Sequence, residues 1–61
     1  MKRSVLISHL RRHGCSLRRH GGKHDIWENH DQTKTSAVPR HTEIKDRMAA
    51  KICEDPGIPP V

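Results

Sequence analysis

The apolar positions of this chain fall into short, spaced clusters, and the period of those clusters changes along its length. Val5, Leu6, Ile7 and Leu10 recur at helical spacing behind Ser4, the expected N-cap, and Gly14 stands where a C-terminal glycine cap falls. This predicts a short amphipathic helix with Arg11 and Arg12 near the carbonyl end of its dipole. From Cys15 the period becomes two. Cys15, Leu17 and Arg19 alternate with Ser16, Arg18 and His20, and a second run from Lys23 to Asn29 alternates about Ile26 and Trp27. Gly21-Gly22 lies between them and predicts a two-residue hairpin turn, because glycine reaches positive φ without a steric penalty.

Such a turn pairs residues 20 and 23. It then sets Leu17 opposite Ile26, Arg18 opposite Asp25, and Arg19 opposite His24. In that register Leu17 and Ile26 mark the core face, with Arg19 and His24 on the same face nearer the turn. Trp27 and the Arg18/Asp25 pair take the other face. A polar loop, His30 to Lys34, leads to a third strand over Thr35–Arg40 carrying Ala37 and Val38, where Pro39 argues for an edge position or a strand end. Thr42 is expected to cap a last helix with Glu43 in its first turn and an apolar stripe of Ile44, Met48, Ala49, Ile52 and Cys53. Pro56 should stop that helix at or before Asp55, and residues 57–61 read as a frayed tail. The sum is one α+β domain over residues 1–61: helix, three-stranded antiparallel meander, helix, with both helices on one face of the sheet.

Composition narrows the function classes. A chain of 61 residues buries only about 60% of the surface it exposes when unfolded, so its core is thin and large multi-site enzymes are excluded. Cys15 and Cys53 lack the close spacing of a zinc site and read as two reduced, packed thiols. Val5 to Ile7 is interrupted by Ser8 and His9, too short for a signal-peptide core or a membrane span, so a cytoplasmic location is expected. Lys and Arg number 12 against 7 Asp and Glu, a net charge of +5. That balance favours a polyanionic partner, nucleic acid first, although a basic face is often only solvated surface.

Gly21-Gly22-Lys23-His24 is the most informative stretch for chemistry, since it sets an imidazole directly after a tight turn beside Arg18, Arg19 and Lys23. A histidine there is placed to take the 2′-hydroxyl proton of RNA while the cations stabilise charge on the phosphoryl oxygens. A lone histidine after a glycine turn is also commonly structural. His9 and His13 are spaced i, i+4 but lack a third ligand, so no metal site is expected. Arg40 and His41, just before the last helix, suit a phosphate contact or simply fill a boundary. Trp27 is either a base-stacking ring or a core residue.

Four features occur in fixed order: the first helix ending His13-Gly14, the Gly21-Gly22-Lys23-His24 turn followed by Ile26-Trp27, the segment Val38-Pro39-Arg40-His41, and Glu43-Ile44-Lys45 leading into the last helix. In these features, from about Lys2 to Ile58, the chain resembles the HicA (YcfA-like) family of bacterial toxin components. The resemblance implies a fold similar to a double-stranded-RNA-binding domain, α-β-β-β-α. It also implies an mRNA endoribonuclease that blocks translation until a HicB-type antitoxin covers it, and the free chain is expected to be monomeric. His24 aligns with the active histidine of the family, and no metal or other cofactor is implied. Two departures stand out: Gly22-Lys23-His24 where many members carry Gly-Ser-His, and Asp55-Pro56-Gly57 where the last helix of relatives ends in Leu-Gly. The leading expectation is therefore a ribonuclease toxin with His24 as general base and Arg18, Arg19, Lys23, Arg40 and His41 as RNA contacts. The competing readings are a non-catalytic RNA-binding module of the same fold and, more remotely, a His-rich metal domain.

Overall fold

The computed structural model describes residues 1–61 as α1 (Arg3–Arg12), β1 (Ser16–His20), β2 (His24–Glu28), β3 (Thr35–Pro39) and α2 (Asp46–Glu54). The strands form one antiparallel sheet in the order β1-β2-β3. Pro39 closes the edge strand β3, where its missing N–H leaves no gap in the ladder. Leu6 and Leu10 from α1 and Ala49, Ile52 and Cys53 from α2 join Trp27, Val38, Cys15 and Ile44 in one buried cluster. Both helices therefore cover the same face of the sheet, and the opposite face is open. No helix is long and apolar enough to cross a membrane.

Gly14 ends α1 as expected. At φ +85° it lets the Cys15 N–H reach the Leu10 carbonyl and the Gly14 N–H reach that of Arg11, a Schellman closure in which buried Cys15 and Leu10 supply the apolar contact. The Asp55-Pro56-Gly57 ending closes α2 in the same way. Gly57 lies at φ +80°, Ile58 N–H bonds to Cys53 O, Gly57 N–H bonds to Glu54 O, and Pro56 is buried. Of the tail expected to fray, Ile58 packs against the core, and His9 Nε2–H donates to the Pro59 carbonyl at 2.7 Å.

Three sequence-based expectations are corrected. The helix starts differ: Lys2 and Lys45 occupy the N-cap positions, and neither makes a side-chain cap bond. Ser4 falls inside the first turn of α1, while Thr42, Glu43 and Ile44 form an extended segment. This segment pairs with residues 1–3 at the start of the chain through the Lys2–Glu43 bridge, Arg3 N–H to Thr42 O and Ile44 N–H to Met1 O. Backbone pairing across the chain thus displaces the local cap. Ile44 still enters the core, but Met48 is exposed.

The hairpin register is the second correction. Ser16 pairs with Glu28 and Leu17 with Trp27, whereas Arg19 pairs with Ile26 and His20 with Asp25, so Arg18 is the extra residue of a β-bulge. Neither Gly21 nor Gly22 adopts positive φ, so the loop is not the two-residue mirror-image turn expected. Arg18 consequently faces Glu28, at 3.9 Å, and not Asp25.

The third correction follows from the second, because side chains alternate along a strand. Asp25 and Trp27 lie on the helix-covered face and are 7% and 4% exposed, while His24 and Ile26 lie on the open face. Leu17, expected in the core, is 40% exposed at the sheet edge. Leu10→Ala should cost about 2–5 kcal/mol of unfolding free energy, and Leu17→Ala about 0.5 kcal/mol or less. Urea titrations followed by tryptophan emission measure both, and the opposite ranking would reinstate Leu17 as a core residue.

Candidate functional site

The Gly21–Lys23 connection is held by one hydrogen bond within its own hairpin and by others from outside it. Gly21 N–H donates to the His24 carbonyl at 2.8 Å, closing the mouth of the turn. A Cβ at Gly21 would lie 2.6 Å from that same oxygen, so glycine is required there by close approach and not by its φ. Arg40 reaches back from beyond β3: Nη1 donates to the Gly22 carbonyl at 2.9 Å, Nη2 donates to the Gly21 carbonyl, and Nε donates to Asp25 Oδ1 at 2.9 Å.

Asp25 is the centre of this arrangement. Its Oδ1 also accepts from His20 Nδ1 at 2.8 Å, and its Oδ2 accepts from Arg3 Nη2 at 2.8 Å. Arg3 Nε in turn donates to the Pro39 carbonyl at 2.8 Å, tying the start of α1 to the end of β3. The bond from His20 fixes the proton on Nδ1 and leaves Nε2 towards solvent. The hydrogen bond from His20, reinforced by Arg40, holds the Asp25 carboxyl below its ordinary pKa.

His24 stands on the other side of the sheet, exposed, as the first residue of β2. Arg19, opposite Ile26, shares that open face, and its Nη1 comes within 3.9 Å of the Cβ position at Gly21. The chain's seven ion pairs leave Arg19, Lys23 and His41 without a carboxylate partner. A concavity of about 220 Å³ opens beside His24, between Ala37 and Pro39 on β3 and Met48, Lys51 and Ile52 on α2. Larger depressions lie along α1 and beside Lys2 and Thr42, away from this imidazole.

The sequence-predicted site residues thus separate into two groups. His24, Arg19 and Lys23 are exposed around the turn, with His41 exposed just beyond β3. Arg18 sits in the bulge near Glu28, and the Arg40 guanidinium is engaged by Asp25 and the turn carbonyls. Sequence reasoning missed Asp25, His20 and Arg3. The available signal was an acidic residue next to His24 in a strongly basic stretch. Trp27 is a core residue beneath the Arg11 guanidinium, 5.5 Å from its ring centroid, and is not positioned to stack a base. The His9 and His13 rings lie 4.5 Å apart, and no three His, Cys, Asp or Glu side chains gather as a metal centre. Cys15 and Cys53 are buried free thiols whose pKa values are raised by burial.

A family model described as HicA toxin of bacterial toxin-antitoxin matches residues 3–58 of the 61-residue chain. The chain belongs to the HicA toxin family. The match spans every element from α1 to the Schellman closure of α2. Membership in a toxin-antitoxin family implies an antitoxin partner. No curated protein and no solved structure matches the chain.

The lowered pKa of Asp25 has a sign. Its carboxylate adds stability above the ordinary value of 3.8, and that contribution is lost as pH falls through the lower folded value. Asp31, held below its ordinary value by the Thr33 hydroxyl, acts in the same direction. Melting temperature should therefore fall below about pH 4, and the fall should be shallower in Asp25→Asn. An unchanged acid slope in that variant would remove Asp25 from the acid response.

Proposed function

We propose that this HicA-family toxin is an mRNA endoribonuclease that needs no metal cofactor and uses His24 as its general base. The observation that carries this reading is an exposed imidazole on the open sheet face, flanked by the unpaired cations Arg19 and Lys23. Neutral His24 takes the proton of a ribose 2′-hydroxyl, the 2′ oxygen attacks the adjacent phosphorus, and the 5′ oxygen leaves with a proton from water. The products are a 2′,3′-cyclic phosphate and a free 5′-hydroxyl. Arg19 and Lys23 stabilise the charge that develops on the phosphoryl oxygens, and Arg18 and His41 extend the phosphate track. Arg40 borders this group, but its guanidinium is given to Asp25 and to the Gly21 and Gly22 carbonyls, so it is not counted among the phosphate contacts. The concave wall beside His24 is open to the flanking nucleotide.

The antitoxin partner is a HicB-type protein that silences the toxin by covering His24. With a net charge of +5 on the toxin, acidic residues on that partner would compete for the same cations that meet RNA phosphate. Activity against mRNA places the toxin's action in the cytoplasm.

Purified protein incubated with RNA in excess chelator should cut it, and His24→Ala should slow cleavage by about 10²- to 10⁴-fold. RNA binding without cleavage in either form would leave a non-catalytic RNA-binding module. Gly21→Ala should also slow cleavage, because its methyl group would meet the His24 carbonyl at 2.6 Å. Gly22→Ala, where a Cβ meets nothing within 4 Å, should cost less. Equal rates in the two glycine variants would detach the turn from the chemistry.

A further inference from the structure

We propose that Arg40, anchored by Asp25, is a positioning residue that clamps the Gly21-Gly22 turn and so orients His24, an inference that rests on the ribonuclease reading for its catalytic consequence. A chain of hydrogen bonds runs from the helix-covered face of the sheet to the backbone of His24. Asp25 Oδ1 holds Arg40 Nε, the guanidinium holds the Gly21 and Gly22 carbonyls, and Gly21 N–H holds the His24 carbonyl. Asp25 is itself fixed by Arg3 from α1 and His20 from β1, so four segments of the fold converge on the turn.

The turn needs such a clamp. Two adjacent glycines carry the largest backbone entropy of any dipeptide, and neither has a side chain to pack. His24 follows them closely, so freedom in the turn becomes freedom in the imidazole. A planar guanidinium with several donors in fixed directions can hold two successive carbonyls and a carboxylate at once, which the single flexible ammonium of lysine cannot do. The alternative role for Arg40 is a plain phosphate contact, and there lysine would serve nearly as well.

The test uses Arg40→Lys, which keeps the charge and removes the fork. With His24 intact, kcat is expected to fall by about tenfold or more, the scale on which displaced catalytic groups lose rate. KM should stay within about twofold of wild type, the pattern of a loss confined to the transition state. In protein inactivated by His24→Ala, adding Arg40→Lys should leave RNA affinity and its salt dependence unchanged. Asp25→Asn, which makes the protein more positive, should slow cleavage while RNA binds as tightly or more tightly.

Amide hydrogen exchange at Gly21 supplies a readout without RNA. It should quicken in Arg40→Lys while the Leu10 and Val38 amides keep their protection. Wild-type kcat in Arg40→Lys, with Gly21 still protected, overturns the proposal. So does a loss of RNA affinity in Arg40→Gln, with the salt slope reduced by about one and kcat retained, since that marks a phosphate contact. If wild-type protein cuts no RNA, the ribonuclease reading fails on its own, and exchange at Gly21 then decides whether Arg40 holds the turn. If Asp25→Asn does not fold, Arg40→Lys carries the test by itself.

Discussion

The carboxylate of Asp25 is buried under the helices, where an isolated negative charge would be strongly disfavoured, and it is tolerated because three cationic or proton-bearing groups close on its two oxygens. Those partners come from the start of α1, the end of β1 and the segment after β3. The ion cluster therefore does at one end of the sheet what the thin apolar core does along its middle: it draws together parts of the chain that are distant in sequence. The fold has nine buried residues in its core and few other means of fixing the hairpin mouth.

The same cluster divides the basic residues by job. Arg3 and Arg40 face inward to a carboxylate and to backbone carbonyls, whereas Arg19 and Lys23 remain open to solvent beside His24. A net charge read from the sequence cannot separate these populations, because it counts engaged and free cations alike. The geometry does. The proposed chemistry is then confined to the uncovered face, with the supporting contacts behind it, and the scaffold and the reactive group are one residue apart in β2.

How much of this is legible in the sequence depends on the range of the interaction. Element order, the glycine closure of α1, Pro39 at the edge-strand end and the helix stop before Pro56 are all set by local backbone chemistry, and each is readable. The register of β1 against β2 is not, because the bulge at Arg18 and the non-left-handed Gly21-Gly22 turn answer to Arg40, Asp25 and Arg3 from elsewhere in the chain. One slipped residue sets Ile26 and not Trp27 beside Leu17, so a register inferred from the turn alone turns Trp27 outward, and it does not show that Leu17 lies exposed on an edge strand. The start of α2 escapes for a related reason: Thr42 and Glu43 have cap chemistry, but pairing with residues 1–3 takes their backbone first. The placement of His24 beside the hairpin turn is readable because its signal is local, whereas the contacts behind it are hidden because Asp25 reads as an ordinary surface acid until the fold buries it.

The placement of Trp27 gives the molecule a built-in reporter. It is the chain's single aromatic residue of the Phe, Trp and Tyr class, sealed in the core under Arg11 and separated from His24 by the thickness of the sheet. Its ultraviolet emission registers the integrity of the interior, while a strand lying across the uncovered side leaves the indole environment unaltered. Loss of the hydrophobic centre and occupation of the open face are thus optically separable in the native sequence, with no added label.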